Sequence, residues 1–136
     1  MTEDPRPSFP PLFSGLAVSG QIDPFEKASA EATRGCDAGL VVYNLGANTL
    51  EAAIVFAPDV TLEKAMAVLP LCGIGFQNAL GALAPPEVAV HLEWAGGLRI
   101  NGARCGALRV AASTADTDAL PDWIVVGLTL PLWPES

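Results

Sequence analysis

Three arginines lie close together in the segment 91–110, HLEWAGGLRINGARCGALRV. Arg99, Arg104 and Arg109 are three of only seven basic residues in a chain of 136 residues with a formal charge of −8. The guanidinium group presents a fixed fork of donors that fits a carboxylate or a phosphate. These residues therefore suggest the binding of a small anion, beside glycines that let a ligand approach the backbone.

The same segment has the pattern of a β-hairpin, in which Asn101 and Gly102 form a type I′ turn. This turn predicts four cross-strand pairs: Ile100 with Ala103, Arg99 with Arg104, Leu98 with Cys105, and Gly97 with Gly106. Because side chains alternate along a strand, one face is expected to hold Gly97, Arg99, Arg104 and Gly106, joined by His91 and Glu93. The opposite, apolar face is expected to hold Leu92, Trp94, Leu98 and Ile100.

Two arginines directly opposite each other repel unless an anion lies between or beside them. Three interpretations follow from the residues alone. Both side chains extend into solvent, or Glu93 neutralises them, or they hold the carboxylate or phosphate of a ligand. The sequence leaves these alternatives open.

The composition restricts the class of function. Hydrophobic residues make up 51% of the chain and the mean hydropathy is +0.39, which excludes a disordered chain. An acidic chain lacks the basic surface that nucleic-acid binding requires, so no nucleic-acid partner is expected. The most apolar window, 65–76, has about half the length that spans a bilayer. Since no secretory signal pattern is evident either, we expect a cytoplasmic protein without a membrane partner.

The chain has too few suitable ligands for a metal site. Cys36, Cys72 and Cys105 are far apart and outside any paired spacing, so we interpret them as reduced core thiols. His91 is the single histidine, which is too few to complete a zinc site. Asp116 and Asp118 are typical of a solvated loop, because no third carboxylate is near them in the sequence.

Turn and cap residues divide the chain into elements. Asp23-Pro24 predicts the start of a helix over 24–34 that ends at Gly35. A second helical stretch begins after Thr61 and runs to about Leu83, with a kink or break near Val68–Leu69 because of Pro70. The expected strands are 40–44, 49–57, 88–94, 98–100, 103–112 and a last strand within 121–133, which is apolar enough to be buried on both faces.

This order of elements favours an α+β fold, a mostly antiparallel sheet with helices packed on one face. Residues 1–22 are expected to form a Pro-rich lead-in and a first strand. Residues 23–136 are expected to form one domain, which lacks a C-terminal part if the chain is a fragment.

Four blocks of the sequence resemble the catalytic domain of the biotin/lipoate protein ligases: VLPLCGIGFQNALGAL, HLEW, LRINGARCGALRV and DWIVVGLTLPL. In that family a helix leads into a strand that ends in Lys-Trp-Pro-Asn-Asp, a hairpin contains a Lys-Leu-Ala-Gly-like segment, and a later strand reads like Val-Val-Gly-Ile-Gly-Ile-Asn. Trp94 matches the motif tryptophan and Gly106 the hairpin glycine. The resemblance is strongest over 61–132, and it implies the fold shared by class II aminoacyl-tRNA synthetases and biotin protein ligases.

The sequence departs from the family pattern at its charged positions. Glu93 occupies the position of the motif lysine, and Ala95-Gly96-Gly97 replaces Pro-Asn-Asp. The active-site lysine of the hairpin aligns with Ala103, or with Arg104 if the alignment shifts by one residue. The family's Arg/Gly-rich substrate loop has no counterpart, because no arginine follows Arg34 until Arg99.

The resemblance implies a reaction in which a carboxylate is joined to ATP and the acyl group is passed to a lysine of a carrier domain. With these cations missing, we expect a catalytically impaired domain that binds a small carboxylic acid or its adenylate. One alternative is an active ligase, using ATP and biotin or lipoate/octanoate, completed by a missing segment or a partner. Another is a structural module that forms a homodimer by edge pairing of strand 40–44 or 122–132. The candidate ligand-binding residues are Tyr43, Asn44, Glu93, Trp94, Gly97, Arg99, Arg104 and Gly106.

Overall fold

The structure is a computed structural model, and it describes residues 11–46, 48–83, 90–92, 97–100 and 103–131. Within these ranges the chain forms seven strands and three helices. Their order is β1 (Ser14–Ala17), α1 (Pro24–Arg34), β2 (Leu40–Leu45), β3 (Thr49–Phe56), α2 (Leu62–Ala65), α3 (Val68–Leu83), β4 (Val90–Leu92), β5 (Gly97–Ile100), β6 (Ala103–Ala112) and β7 (Ile124–Pro131).

The described strands form one sheet in the order β1-β2-β3-β7-β6-β5-β4. Only β1 and β2 run parallel, and every other neighbouring pair is antiparallel. The α+β class and the mostly antiparallel sheet are therefore confirmed. The two strands proposed for edge pairing in a homodimer both lie inside the sheet, since β2 is flanked by β1 and β3, and β7 by β3 and β6. That form of the dimer hypothesis is wrong.

The helices cover both faces of the sheet rather than the single face expected. Ala28 and Ala32 of α1 pack with Val55 and Val125. Their strand neighbours Ile54, Phe56, Ile124 and Val126 belong to a second apolar cluster, which contains residues of α2 and α3. Because successive strand residues point to opposite faces, α1 lies on one face and α2 and α3 lie on the other. We call these the α1 face and the α3 face.

Burial on both faces explains the continuous apolar run of the last strand. Ile124, Val125 and Val126 are each at most 3% exposed. A strand that alternated polar and apolar residues would place polar groups under one of the helices. The prediction that this strand is buried on both faces is confirmed. Because both faces of the strand are covered, the helices cannot all lie on one face of the sheet.

Helix α1 has the bounds that its cap residues predict. The Asp23 side chain accepts a hydrogen bond from the backbone N–H of Phe25 at 3.0 Å, and Pro24 occupies the first turn. Gly35 ends the helix in the left-handed conformation, with φ of 96°. Glycine adopts this conformation at little cost, which fits its frequency after helix C-termini.

The second helical stretch is broken earlier than predicted. Helix α2 ends at Ala65 and α3 begins at Val68, so Pro70 lies in the first turn of α3. A proline there removes no intrahelical hydrogen bond, because the first N–H groups of a helix have no partner in it. Thr61 precedes α2 but makes no side-chain cap; the carbonyls of Ala119 and Thr117 accept from the first two N–H groups of α2 instead.

The three cysteines are free thiols. Cys72 and Cys105 pack against the apolar cluster of the α3 face, and burial raises the pKa of both thiols. Burial also raises the pKa of Cys36, with contributions from the nearby carboxylates of Glu31 and Asp37. A raised pKa keeps a thiol protonated near neutral pH and lowers its nucleophilicity. None of the described helices is long and apolar enough to cross a membrane.

Candidate functional site

Strands β5 and β6 pair as predicted close to the turn but not further along. Arg99 lies opposite Arg104, and Ile100 lies opposite Ala103. Beyond them the register shifts, so that Leu98 faces Gly106 and Gly97 faces Ala107. The predicted pairs of Leu98 with Cys105 and of Gly97 with Gly106 are wrong, because Cys105 is an extra residue in a β-bulge.

The bulge moves Gly106 away from the face of the arginine pair. Leu98 is fully buried in the cluster of the α3 face, and Gly106 lies directly opposite it. A Cβ atom on Gly106 would come within 2.4 Å of the Thr129 backbone oxygen and 3.4 Å of Leu130 Cα. Gly106 is therefore required by the close approach of β6 and β7, and it does not line the α1 face.

A row of five residues crosses the α1 face beyond helix α1. Each faces the next on the neighbouring strand, in the order Asn44, Glu51, Thr129, Ala107 and Gly97. The first three are polar, and the last two present almost no side chain. The row thus has a polar end on β2 and β3 and a small-residue end on β6 and β5, with the paired positions Arg99 and Arg104 next to the small-residue end.

Arg109 joins the hairpin to helix α1 and does not extend toward the small-residue end of the row. One of its terminal nitrogens donates to both carboxylate oxygens of Asp23, at 3.1 and 3.0 Å. Its guanidinium carbon lies 4.4 Å from the centre of the Phe25 ring. That ring rests on Gly127, where a Cβ atom would come within 2.6 Å of it. Arg109 is therefore neutralised by the protein itself.

Asp23 caps helix α1 and pairs with Arg109, and two different substitutions separate these contributions to stability. We expect Asp23→Ala to lower the free energy of unfolding by about 1 to 2 kcal/mol, because it removes the helix cap as well as the partner of Arg109. Asp23→Asn keeps a capping oxygen and is expected to cost less than about 1 kcal/mol, since the ion pair is half-exposed. Urea unfolding of both variants measures this difference. Equal losses in the two variants would contradict the assignment of the larger contribution to the cap.

A cleft of about 240 Å³ lies at the polar end of the row, between the sheet and the loop that precedes α1. It is lined by Gly20, Gln21, Ile22, Asp23, Asn44, Glu51 and Arg109. The Asn44 side-chain nitrogen donates to the carbonyls of Gly20 and Ile22, both at 3.2 Å, and so fixes the loop above the sheet. The half-buried Glu51 has neither a hydrogen bond nor an ion pair from its carboxylate among the residues that the structure describes.

The predicted site residues divide into three groups. Asn44, Gly97 and Arg99 lie on the α1 face, and the register places Arg104 opposite Arg99. Tyr43 and Gly106 belong to the α3 face, and Tyr43 is only 9% exposed. Glu93 and Trp94 lie outside the described residues, as does the turn at Asn101-Gly102. The ligand-binding role of these residues stays a prediction.

Sequence reasoning missed Glu51 and the partner of Arg109. A signal for Glu51 was present, because it is the only charged residue in the strand TLEAAIVF. An acidic side chain in an otherwise apolar central strand is unusual, since carboxylates are rarely buried without a partner. No local pattern pointed to the pair of Asp23 and Arg109, which are 86 residues apart.

Comparison with known proteins identifies the family. The biotin/lipoate A/B protein ligase family matches residues 9–136. The chain belongs to this family. A biotin protein ligase-like protein of unknown function from Silicibacter sp. TM1040 is similar to this family member, with 67% sequence identity over 95% of the chain and a TM-score of 0.92. None of the curated proteins matches the chain.

Two more distant solved structures share the ligase fold. The apo biotin protein ligase from Aquifex aeolicus has 13% identity over 91% of this ligase-family chain and a TM-score of 0.67. The biotin acetyl coenzyme A carboxylase synthetase from Helicobacter pylori, crystallised with biotinylated ATP, has 10% identity over 90% of the chain and a TM-score of 0.57. The chain spans 56% of the Silicibacter protein, 52% of the Aquifex protein and 66% of the Helicobacter protein.

Proposed function

We propose that this chain is a divergent ligase-family domain that binds a small carboxylic acid or its adenylate and does not itself complete a ligation. The observation on which this rests is the pairing of Arg99 with Arg104 beside Gly97 and Ala107. Two guanidinium groups at facing positions are stabilised by an anion between them.

The charges on the α1 face favour the binding of a single carboxylate over the binding of a nucleoside triphosphate. Arg109 is engaged by Asp23, and Glu51 adds a negative charge to the same face. Residues 35–57, where the resemblance predicts the family's arginine-rich loop, contain no basic residue. Transfer of an acyl group through an adenylate requires cations that stabilise the negative charge formed in both steps. ATP therefore does not fit the described residues.

A second candidate function is an active ligase in which further chain or a partner supplies the missing cations. The observation that favours it is the length of the relatives, since the chain spans only 56% of the Silicibacter protein. In this case the acid would be biotin, lipoate or octanoate, activated by ATP in the cytoplasm. Both candidates use the same acid site and differ in whether the chain releases pyrophosphate.

The two candidates are distinguished by measuring binding and turnover together. We expect a biotinyl- or octanoyl-adenylate mimic to stabilise the chain against thermal unfolding, by about 2.7 kcal/mol at 100 times its dissociation constant. We expect no pyrophosphate release from ATP with biotin, lipoate or octanoate. Stabilisation together with pyrophosphate release would favour the active ligase. The absence of stabilisation by every acid and adenylate mimic would contradict both candidates.

A further inference from the structure

We draw no further inference here: the strongest candidate, the apolar cavity of about 400 Å³ that Leu12, Phe56 and Val68 line between the residues preceding β1, the end of β3 and the start of α3, carries nothing because no part of the chain that the structure describes shows what covers it.

Discussion

Gly106→Ala is expected to lower the free energy of unfolding by about 3 kcal/mol, at the upper end of the usual cost of overpacking. The obstacles are backbone atoms of β7, with the Thr129 oxygen 2.4 Å and Leu130 Cα 3.4 Å from the new methyl carbon. Because these are backbone atoms, no side-chain rotation can relieve the clash. Strands β6 and β7 must therefore move apart at this point. Chemical denaturation of the purified variant measures the loss.

Gly75→Ala is the matched control for this substitution. A Cβ atom on Gly75 would meet nothing within 4 Å, and Gly75 lies inside helix α3. Since alanine favours the helix over glycine, this variant is expected to gain about 0.5 to 1 kcal/mol. A loss below about 1 kcal/mol for Gly106→Ala would contradict the close approach of β6 and β7 and the bulge that accompanies it.

Leu98→Ala is expected to cost about 2 to 5 kcal/mol, the range measured for large-to-small changes in protein cores. Leu98 is 0% exposed and packs in the cluster that joins the hairpin to α2 and β7. Its neighbours in the short strand β5 are Gly97 and Arg99, so Leu98 is the buried apolar side chain described in β5 that anchors this strand to the core. The loss is measured by urea unfolding.

Leu45→Ala has the same change of side chain at a surface position. Leu45 is 61% exposed at the end of β2, and we expect its truncation to change stability by less than about 0.5 kcal/mol. A similar loss in both leucine variants would contradict the assignment of Leu98 to the core. It would also remove the structural reason for placing Arg99 on the opposite, α1 face.

Local sequence signals predicted the elements whose cause is local. Helix α1 follows from Asp23, Pro24 and Gly35, which satisfy its terminal groups and supply its left-handed end. The facing positions of Arg99 and Arg104 follow from a two-residue turn. Buried strands such as β7 were recognisable from their continuous apolar runs.

Features that depend on the strand order could not be predicted in this way. The row from Asn44 to Gly97 exists because β7, the last strand in sequence, inserts between β3 and β6. The bulge at Cys105 places Gly106 on the face opposite to the one predicted, and the Gly106 backbone lies close to β7. The pair of Arg109 and Asp23 requires strand β6 and helix α1 to meet on one face. Each of these arises from packing between distant segments.

The positions of the helices followed from information that the sequence did contain. The last strand was expected to be buried on both faces, and a strand buried on both faces needs cover on both sides. Among the described residues, α1 packs on one side of the sheet and α2 and α3 pack on the other, and the cleft at the start of α1 lies on the α1 face. Arg99, Gly97, Ala107 and Glu51 belong to the same face.

The most direct test of this account is the thermal stabilisation of three proteins by an acyl-adenylate mimic in large excess: the native chain, Arg104→Ala and Arg34→Ala. Arg34 is a matched arginine at the far end of α1, where its side chain is 73% exposed. We predict stabilisation of the native chain and of Arg34→Ala by several degrees, with little or none in Arg104→Ala. Equal stabilisation of all three proteins, or of none, would contradict an anion site at the pair of Arg99 and Arg104.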